Sequence, residues 1–376
     1  VIYYSCDSHV VEPAVVFEGL EEKFGERAPQ ILHDPDGRRG DFLKIGASSR
    51  MLPVARFGIA GNRLDDPATH ELIARGYEGM NRGVFDPVAR MKDQEIDGIV
   101  GEVMYPSLNM FTFSHPDREV THAIFRRHNN WIRDYCSYAP ERLIGVACIP
   151  LPDIEESIAE MRRAVKMGIK GIAIPCAAPV DKPYTDPLYE PFWAACDEIG
   201  LPITMHVFTG ASWNMNIPDH WGPIMGYALA QTAIQNTIGQ IICGGVNERH
   251  PNLKFICGEF ETGWLGQFLG RLDHAAYRTP EAKSKDMQME PSAYFRRNWY
   301  ATFEDDEAGI LTRHMIGVDN LLWGNDYPHH DAIWPHSMEV LARIMAGVPQ
   351  DEVEKMTSGN VMKLYNIKLP EMSSSR

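Results

Sequence analysis

Short runs of branched and aromatic residues recur along the chain, each closed by Gly, Pro or a polar residue. They lie at 2–8 (IYYSCDS), 97–104 (DGIVGEVM), 143–151 (LIGVACIPL), 169–175 (IKGIAIP), 201–207 (LPITMHV), 253–259 (LKFICGE), 298–304 (NWYATFE) and 320–326 (NLLWGND). Apolar runs of this length, bounded by turn residues, read as strands buried on both faces. Between the later runs the period becomes helical. DIEESIAEMRRAVKMG and LYEPFWAACDEIG each begin with acidic residues and stop at a Gly, and DREVTHAIFRRHNNWIRDYCSYAPERL carries apolar residues at helical spacing. Eight strands alternating with helices predict an α/β fold, a (β/α)8 TIM barrel.

One stretch breaks the alternation. Residues 14–80 are too long for a simple strand–helix loop, and DFLKIGASSRMLPVARFGIAGNRL within them reads as a small β-hairpin element. We expect a single barrel over 1–376 with 14–80 inserted after strand one, near the barrel mouth. No repeat is present, and the only low-complexity stretch is the polar tail EMSSSR.

Composition narrows the classes. Hydrophobic residues make up 44% of the chain, enough for a sizeable core, and no apolar run approaches the length of a membrane helix. A net charge of −15 disfavours a nucleic-acid surface. The seven cysteines are scattered with no CxxC pair, which predicts reduced thiols. With no basic, apolar leader before Val1, a cytoplasmic protein is expected.

Active sites of such barrels lie at the C-terminal ends of the strands. Strand one brings Asp7 and His9 there, two positions apart and so on one face. Strand five brings His206, strand six Glu259 and strand eight Asp326. Each has an ordinary alternative as a capping carboxylate or a core histidine. Together they are the ligand types for a divalent cation with an open position that polarises an oxygen or activates water. Mixed imidazole and carboxylate ligands suit Zn, Mn or Fe without choosing among them.

The segments DSHVVEP, ITMHVF, CGEFETGWL and WGNDYPHHDAIWP together resemble the amidohydrolase superfamily, and most closely its amidohydrolase-2 group, which includes aminocarboxymuconate-semialdehyde decarboxylase and related aromatic acid decarboxylases. HNNWIRDYCSYAPERLIGVACIPLPD, GGVNERHPNLKF and RLDH are similar to the linking segments of that group. The resemblance implies that Asp7 and His9 fill the paired ligand slot of strand one, that His206 is the strand-five ligand, and that Asp326 ligates the metal or carries a proton. Three departures stand out. The first slot holds Asp, the strand-six position holds Glu259 where many members carry His, and strand four ends IAIPCAA with no Lys to bridge two metals.

The expected activity is a metal-dependent hydrolase or decarboxylase acting on a small organic or aromatic acid, with Asp326, Glu259 and His329 as catalytic residues. Glu259 also allows a bridging role toward a second metal with Glu12, His329 or His330 nearby. Hence the alternative is a dinuclear non-haem iron or Mn/Fe oxygenase, acting with a homologous subunit. A metal-binding but inactive partner subunit is the non-enzyme reading. One or two ions, and a homo-oligomer or a hetero-oligomer with a homologue, are compatible with the sequence. Of the two adjacent histidines, His329 is favoured over His330 as the one facing the site. Trp213, His220 and Trp221 read as a pocket wall or as packing. Trp264 and Trp334 read as core residues, Arg313–His314 as structural, and Glu304, Asp305 and Asp306 as a cap for the next helix or a partner for a cationic group.

Overall fold

The computed structural model describes residues 1–47, 51–151, 153–210 and 222–369. Trp213, His220 and Trp221 lie outside these described residues. The strands are β1 (Tyr4–Val10), β2 (Gln30–His33), β3 (Asp41–Lys44), β4 (Met51–Pro53), β5 (Gly101–Pro106), β6 (Leu143–Gly145), β7 (Ala147–Cys148), β8 (Ile172–Pro175), β9 (Pro202–His206), β10 (Lys254–Gly258), β11 (Trp299–Phe303) and β12 (Leu321–Trp323).

Parallel pairing runs β1–β5–β6 in one sheet and β7–β8–β9–β10–β11–β12 in the other. β6 and β7 are one strand interrupted at Val146. The ring closes just past β12, where the amides of Asn325 and Asp326 donate to the Asp7 carbonyl at 3.2 and 2.9 Å. The result is the expected barrel, with each predicted strand run overlapping an observed strand. Helices cover the outside: Arg118–Cys136, Ile154–Lys166 and Glu190–Ile199 fall inside the three predicted helical segments. Asp153 caps the second through the Glu156 amide, and Gly200 ends the third at φ 73°, a left-handed turn open to Gly without strain.

Strand periodicity divides the core. On β9, Ile203 and Met205 pack outward with Phe192, Trp193, Ile234 and Ile238 of the helical layer. Thr204 points inward, its hydroxyl 3.3 Å from that of Tyr105, and His206 follows on the same face at the strand end. β1 departs from simple alternation. Its pairing with β5 shifts register between Ser5 and Ser8. Cys6 packs with Tyr105, Ile256 and Leu322, yet Asp7 next to it also reaches inward to Thr302. A bulge of this kind re-aims a side chain, and here it lets the adjacent Cys6 and Asp7 both face inward.

Within 14–80, β2, β3 and β4 form an antiparallel sheet, with Leu32 opposite Phe42 and Leu43 opposite Leu52. The turn Val54–Phe57 follows, and the Ala60 amide donates to the Pro328 carbonyl at 2.9 Å, so this segment touches the loop after β12.

Candidate metal centre

Five side chains expected from the strand ends meet at one point. His9 Nε2 lies 3.5 Å from Asp7 Oδ1, 3.6 Å from Glu259 Oε2 and 3.3 Å from Asp326 Oδ1. His206 Nε2 lies 3.3 Å from Asp7 Oδ1 and 3.5 Å from Glu259 Oε2. Two groups of potential ligands result, Asp7–His9–His206–Glu259 and His9–Glu259–Asp326–His329, sharing His9 and Glu259.

Both strand-end imidazoles are turned by their other nitrogen. His9 Nδ1 is 2.9 Å from the Pro106 carbonyl and His206 Nδ1 is 3.1 Å from the Val207 carbonyl. A carbonyl accepts only, so each Nδ1 carries a hydrogen and each Nε2 is turned to the shared point, as in metal-ligating histidines. Thr302 fixes the Asp7 carboxylate and the Glu259 backbone. Its hydroxyl donates to Asp7 Oδ2 at 2.5 Å and accepts the Glu259 amide at 2.8 Å.

Two glycines permit this crowding. A Cβ on Gly258 would fall 2.7 Å from His206 Cδ2, and one on Gly324 would fall 2.3 Å from Asp7 Cβ. Glu259 and Asp326 follow their strands in left-handed backbone conformations, φ 59° and 52°. Non-glycine residues there cost on the order of 1 kcal/mol, and such residues cluster at functional sites. For this reason the last strand ends earlier than expected, at Trp323, and Asp326 sits on the turn beyond it.

The electrostatics ask for a cation. His9 Nε2, Glu259 Oε2 and Asp326 Oδ2 are buried without a hydrogen-bond partner. Burial and the nearby carboxylates of Glu259, Asp331, Glu304 and Asp7 push the Asp326 carboxyl far above its ordinary range. Burial likewise raises Glu259, against the opposing pull of His9 and His206. Asp7 is held low despite its burial, chiefly by His206 and His9. Against its burial, the Asp7 and Glu259 carboxylates facing Nε2 raise His9 to about 9. A divalent cation with ligands at roughly 2.0–2.2 Å spaces them about 3.0–3.5 Å from one another. The separations of 3.3–3.6 Å among these nitrogens and oxygens match that spacing. The residues present therefore fit a divalent metal ion.

His329 is the histidine that faces the site. Its Nδ1 is 2.9 Å from Asp326 Oδ1, its Nε2 is 2.9 Å from Ser107 Oγ, and its ring stacks on His9 with centroids 4.0 Å apart. Burial, followed by His9 and His206, drives its pKa well down. His330 turns aside toward Asp331. Glu12 is elsewhere: its buried carboxylate accepts the amides of Leu108 and Asn109 at 2.8 and 3.2 Å and belongs to neither ligand group. The expectation of Glu12 as a neighbour of a second metal is corrected accordingly, because amides at the start of a helical turn already satisfy it.

Around the ligands, a pocket is lined by Tyr227, Glu261, Thr302, Phe303 and Glu304 together with Asp7, Glu259 and Asp326. Glu304 accepts the Ile333 amide at 2.8 Å and Glu261 accepts the Glu304 amide at 3.2 Å. Only Asp306 of that acidic run caps the next helix, through the Gly309 amide. On the other side Phe57 lies edge-on to His329 at 5.9 Å and 5.6 Å from Phe111, which neighbours Phe208 at 6.3 Å. Glu261, Thr302 and these phenylalanines escaped the sequence reading. Glu261 and Thr302 had a usable signal in their place, three residues past the end of β10 and one before the end of β11. Phe57 and Phe111 are brought in by long-range folding and had none. Trp264 bonds the Phe260 carbonyl at 2.9 Å, Trp334 bonds the Asp93 carbonyl at 3.0 Å, and Arg313 and His314 both hold Glu352.

Comparison with known proteins agrees with this geometry. The chain is 26% identical over 305 residues to 2-amino-3-carboxymuconate-6-semialdehyde decarboxylase of Dictyostelium discoideum, covering 76% of this chain and 82% of that one. It shares its fold with an amidohydrolase from Mycobacterium avium subsp. paratuberculosis K-10 (TM-score 0.77, 24% identity, 97% and 99% of the two chains). It also shares the fold of 5-carboxyvanillate decarboxylase from Novosphingobium aromaticivorans DSM 12444, solved with manganese and a nitrobenzoic acid (TM-score 0.68, 16% identity, 97% and 96%). A family model described as amidohydrolase matches residues 65–367, so the strand-one pair rests on geometry while the other ligands lie within the match. The chain belongs to the amidohydrolase family.

Proposed function

We propose that this protein is a metal-dependent decarboxylase of a small aromatic acid. The observation that carries the reading is the convergence of buried, unpartnered His9 Nε2, Glu259 Oε2 and Asp326 Oδ2 on the point that His206 and Asp7 also face. Decarboxylases of aromatic or unsaturated acids among its relatives support the reaction class, and manganese in the carboxyvanillate enzyme supports the choice of ion.

In this proposal Asp7, His9, His206, Glu259 and Asp326 hold the ion. When bound, a divalent cation supplies Lewis acidity toward the oxygens of a chelating acid. The partly exposed rings of Phe57, Phe111 and Phe208 offer a wall against which an aromatic ring can lie. Asp326 is the proton carrier: cleavage of the ring-to-carboxylate bond leaves its electron pair on the ring carbon, carbon dioxide departs, and Asp326 delivers a proton to that carbon. His329, 2.9 Å from Asp326 and hydrogen-bonded to Ser107, resupplies it. In a hydrolase the same two residues would instead take a proton from water. The test is carbon dioxide release from Mn-loaded protein given hydroxybenzoic and methoxybenzoic acids. Amide or ester cleavage without carbon dioxide would overturn decarboxylation in favour of hydrolysis.

A dinuclear oxygenase is the second reading, favoured by the two ligand groups sharing His9 and Glu259. Two metal equivalents including iron, with oxygen consumption, would establish it and displace the first. The reading also takes 1–376 as one barrel with 14–80 as an insertion at its mouth, cytoplasmic and assembled with itself or a homologue. Sedimentation of the purified protein tests the assembly. Among the described residues no helix is long and apolar enough to cross a membrane.

A further inference from the structure

The helix Pro87–Asp97 turns an unusual stripe toward the barrel. Core-facing positions at i, i+3, i+4 and i+7 are normally apolar. Here they are Arg90, Asp93, Gln94 and Asp97, and Arg90, Gln94 and Asp97 are buried. Asp93 accepts the Tyr327 hydroxyl at 2.5 Å, and Asp97 accepts the Asn325 amide nitrogen at 2.8 Å. Gln94 donates to Glu102 at 2.5 Å. Two of these contacts therefore grip the residues on either side of Asp326.

Arg90 is the centre of the stripe and is fully buried. Nε and Nη2 form a two-pronged pair with Glu102 of β5 at 2.7 and 2.6 Å. Nη1 donates to the His9 carbonyl at 2.7 Å and also lies 3.4 Å from the Gly83 carbonyl, while Nη2 reaches the Tyr327 carbonyl at 3.4 Å. The guanidinium carbon lies 4.4 Å from the Tyr327 ring centroid. The Tyr327 carbonyl also accepts the His9 amide at 2.6 Å. One side chain thus ties together the backbone of His9, from the start of the chain, and of Tyr327, beside Asp326 near its end.

We infer that Arg90 is a positioning residue for the metal centre, holding the β1–β12 junction from which His9 and Asp326 reach the ion; this rests on the metal-centre reading above. Only a guanidinium supplies donors for Glu102 and both carbonyls at once, since an ammonium is a point donor without that planar fork. A purely structural ion pair behaves differently. Replacing both members of a buried pair by apolar residues is often neutral for stability, and it would leave metal binding alone.

The test uses the full-length protein stripped of metal and titrated with Mn(II) by calorimetry, with thermal unfolding of the metal-free form followed in parallel. The variants are Arg90→Met/Glu102→Met and Arg90→Lys, with Tyr135→Phe as the control that removes a neighbouring bond to Gly83. We expect a folded double variant with Mn affinity weakened 10- to 100-fold, the range of other residues that orient ligands from behind. Arg90→Lys should also weaken it at least tenfold, and Tyr135→Phe should not. A folded double variant losing less than tenfold overturns the inference. If the double variant does not fold, the same threshold applied to Arg90→Lys decides. Failure of the wild-type protein to bind Mn(II), Zn(II) or Fe(II) refutes the metal-centre reading itself, a result distinct from wild-type binding that the variants retain.

Discussion

Thr302 stands between two carboxylates of the metal centre: its hydroxyl donates to Asp7 Oδ2 at 2.5 Å while accepting the amide hydrogen of Glu259 at 2.8 Å. One hydroxyl on β11 therefore sets the orientation of a residue on β1 and of the backbone after β10. Thr302→Val keeps the shape and removes both bonds. The expected loss is about 1–3 kcal/mol of stability from the amide and carboxylate left unsatisfied, with metal affinity down roughly 10- to 100-fold. Chemical denaturation and metal titration read the two effects separately.

Metal binding should strengthen as pH rises. In the metal-free protein His9 holds its proton up to about 9, because the nearby Asp7 and Glu259 carboxylates outweigh burial. The carboxyls of Glu259 and Asp326 are raised as well. A cation must displace these protons, so low pH favours the proton, and affinity climbs until His9 is deprotonated near 9. Calorimetry at pH 7 in buffers of different ionisation enthalpy should record proton release. Release of no protons would contradict this arrangement.

Chelation should destabilise the protein. The ion relieves repulsion among buried carboxylates and binds the folded state alone, a contribution of about 4 kcal/mol at a thousandfold excess over Kd. Thermal unfolding with and without a chelator measures it, and an unchanged transition would argue against a resident metal.

Asp326→Asn separates architecture from chemistry. Its carboxylate is buried among like charges, so the neutral amide should leave the metal-free protein as stable or more so. Turnover should fall by roughly 10²–10⁴ if Asp326 moves the proton. Wild-type rates would remove it from the catalytic role.

Gly258→Ala probes the close packing beneath the imidazole. The added carbon would sit 2.7 Å from His206 Cδ2, forcing the ring from its place at a cost of about 1–3 kcal/mol. Metal affinity should fall with stability. An alanine variant that binds metal normally would show that His206 does not need its present position.

The linear chain carried most of the frame. Eight apolar runs separated by helical segments define a barrel, because a parallel strand covered on both faces must be apolar nearly throughout. The position of Asp7, His9, His206 and Glu259 at strand ends followed from the same runs, since such barrels present function at one rim. The resemblance of those segments to the amidohydrolase-2 group agreed with the family match.

What the chain could not show is everything that depends on distance in space. Whether Glu12 or His329 meets Asp326 is decided by which loops fold over the mouth: Glu12 is consumed by the Leu108 and Asn109 amides, while the turn at Tyr327–His330 brings His329 over His9. The bulge between Ser5 and Ser8, the left-handed backbone at Glu259 and Asp326, and the grip of Arg90 on residues 9 and 327 leave no mark in hydrophobic period. Periodicity is a local property, set by which face of an element meets the core, so the sequence alone determined the barrel and the kinds of residue at its rim. A metal site needs nitrogens and oxygens from distant parts of the chain within a few ångströms of one another, and only the closing of β1 against the turn after β12 put them there.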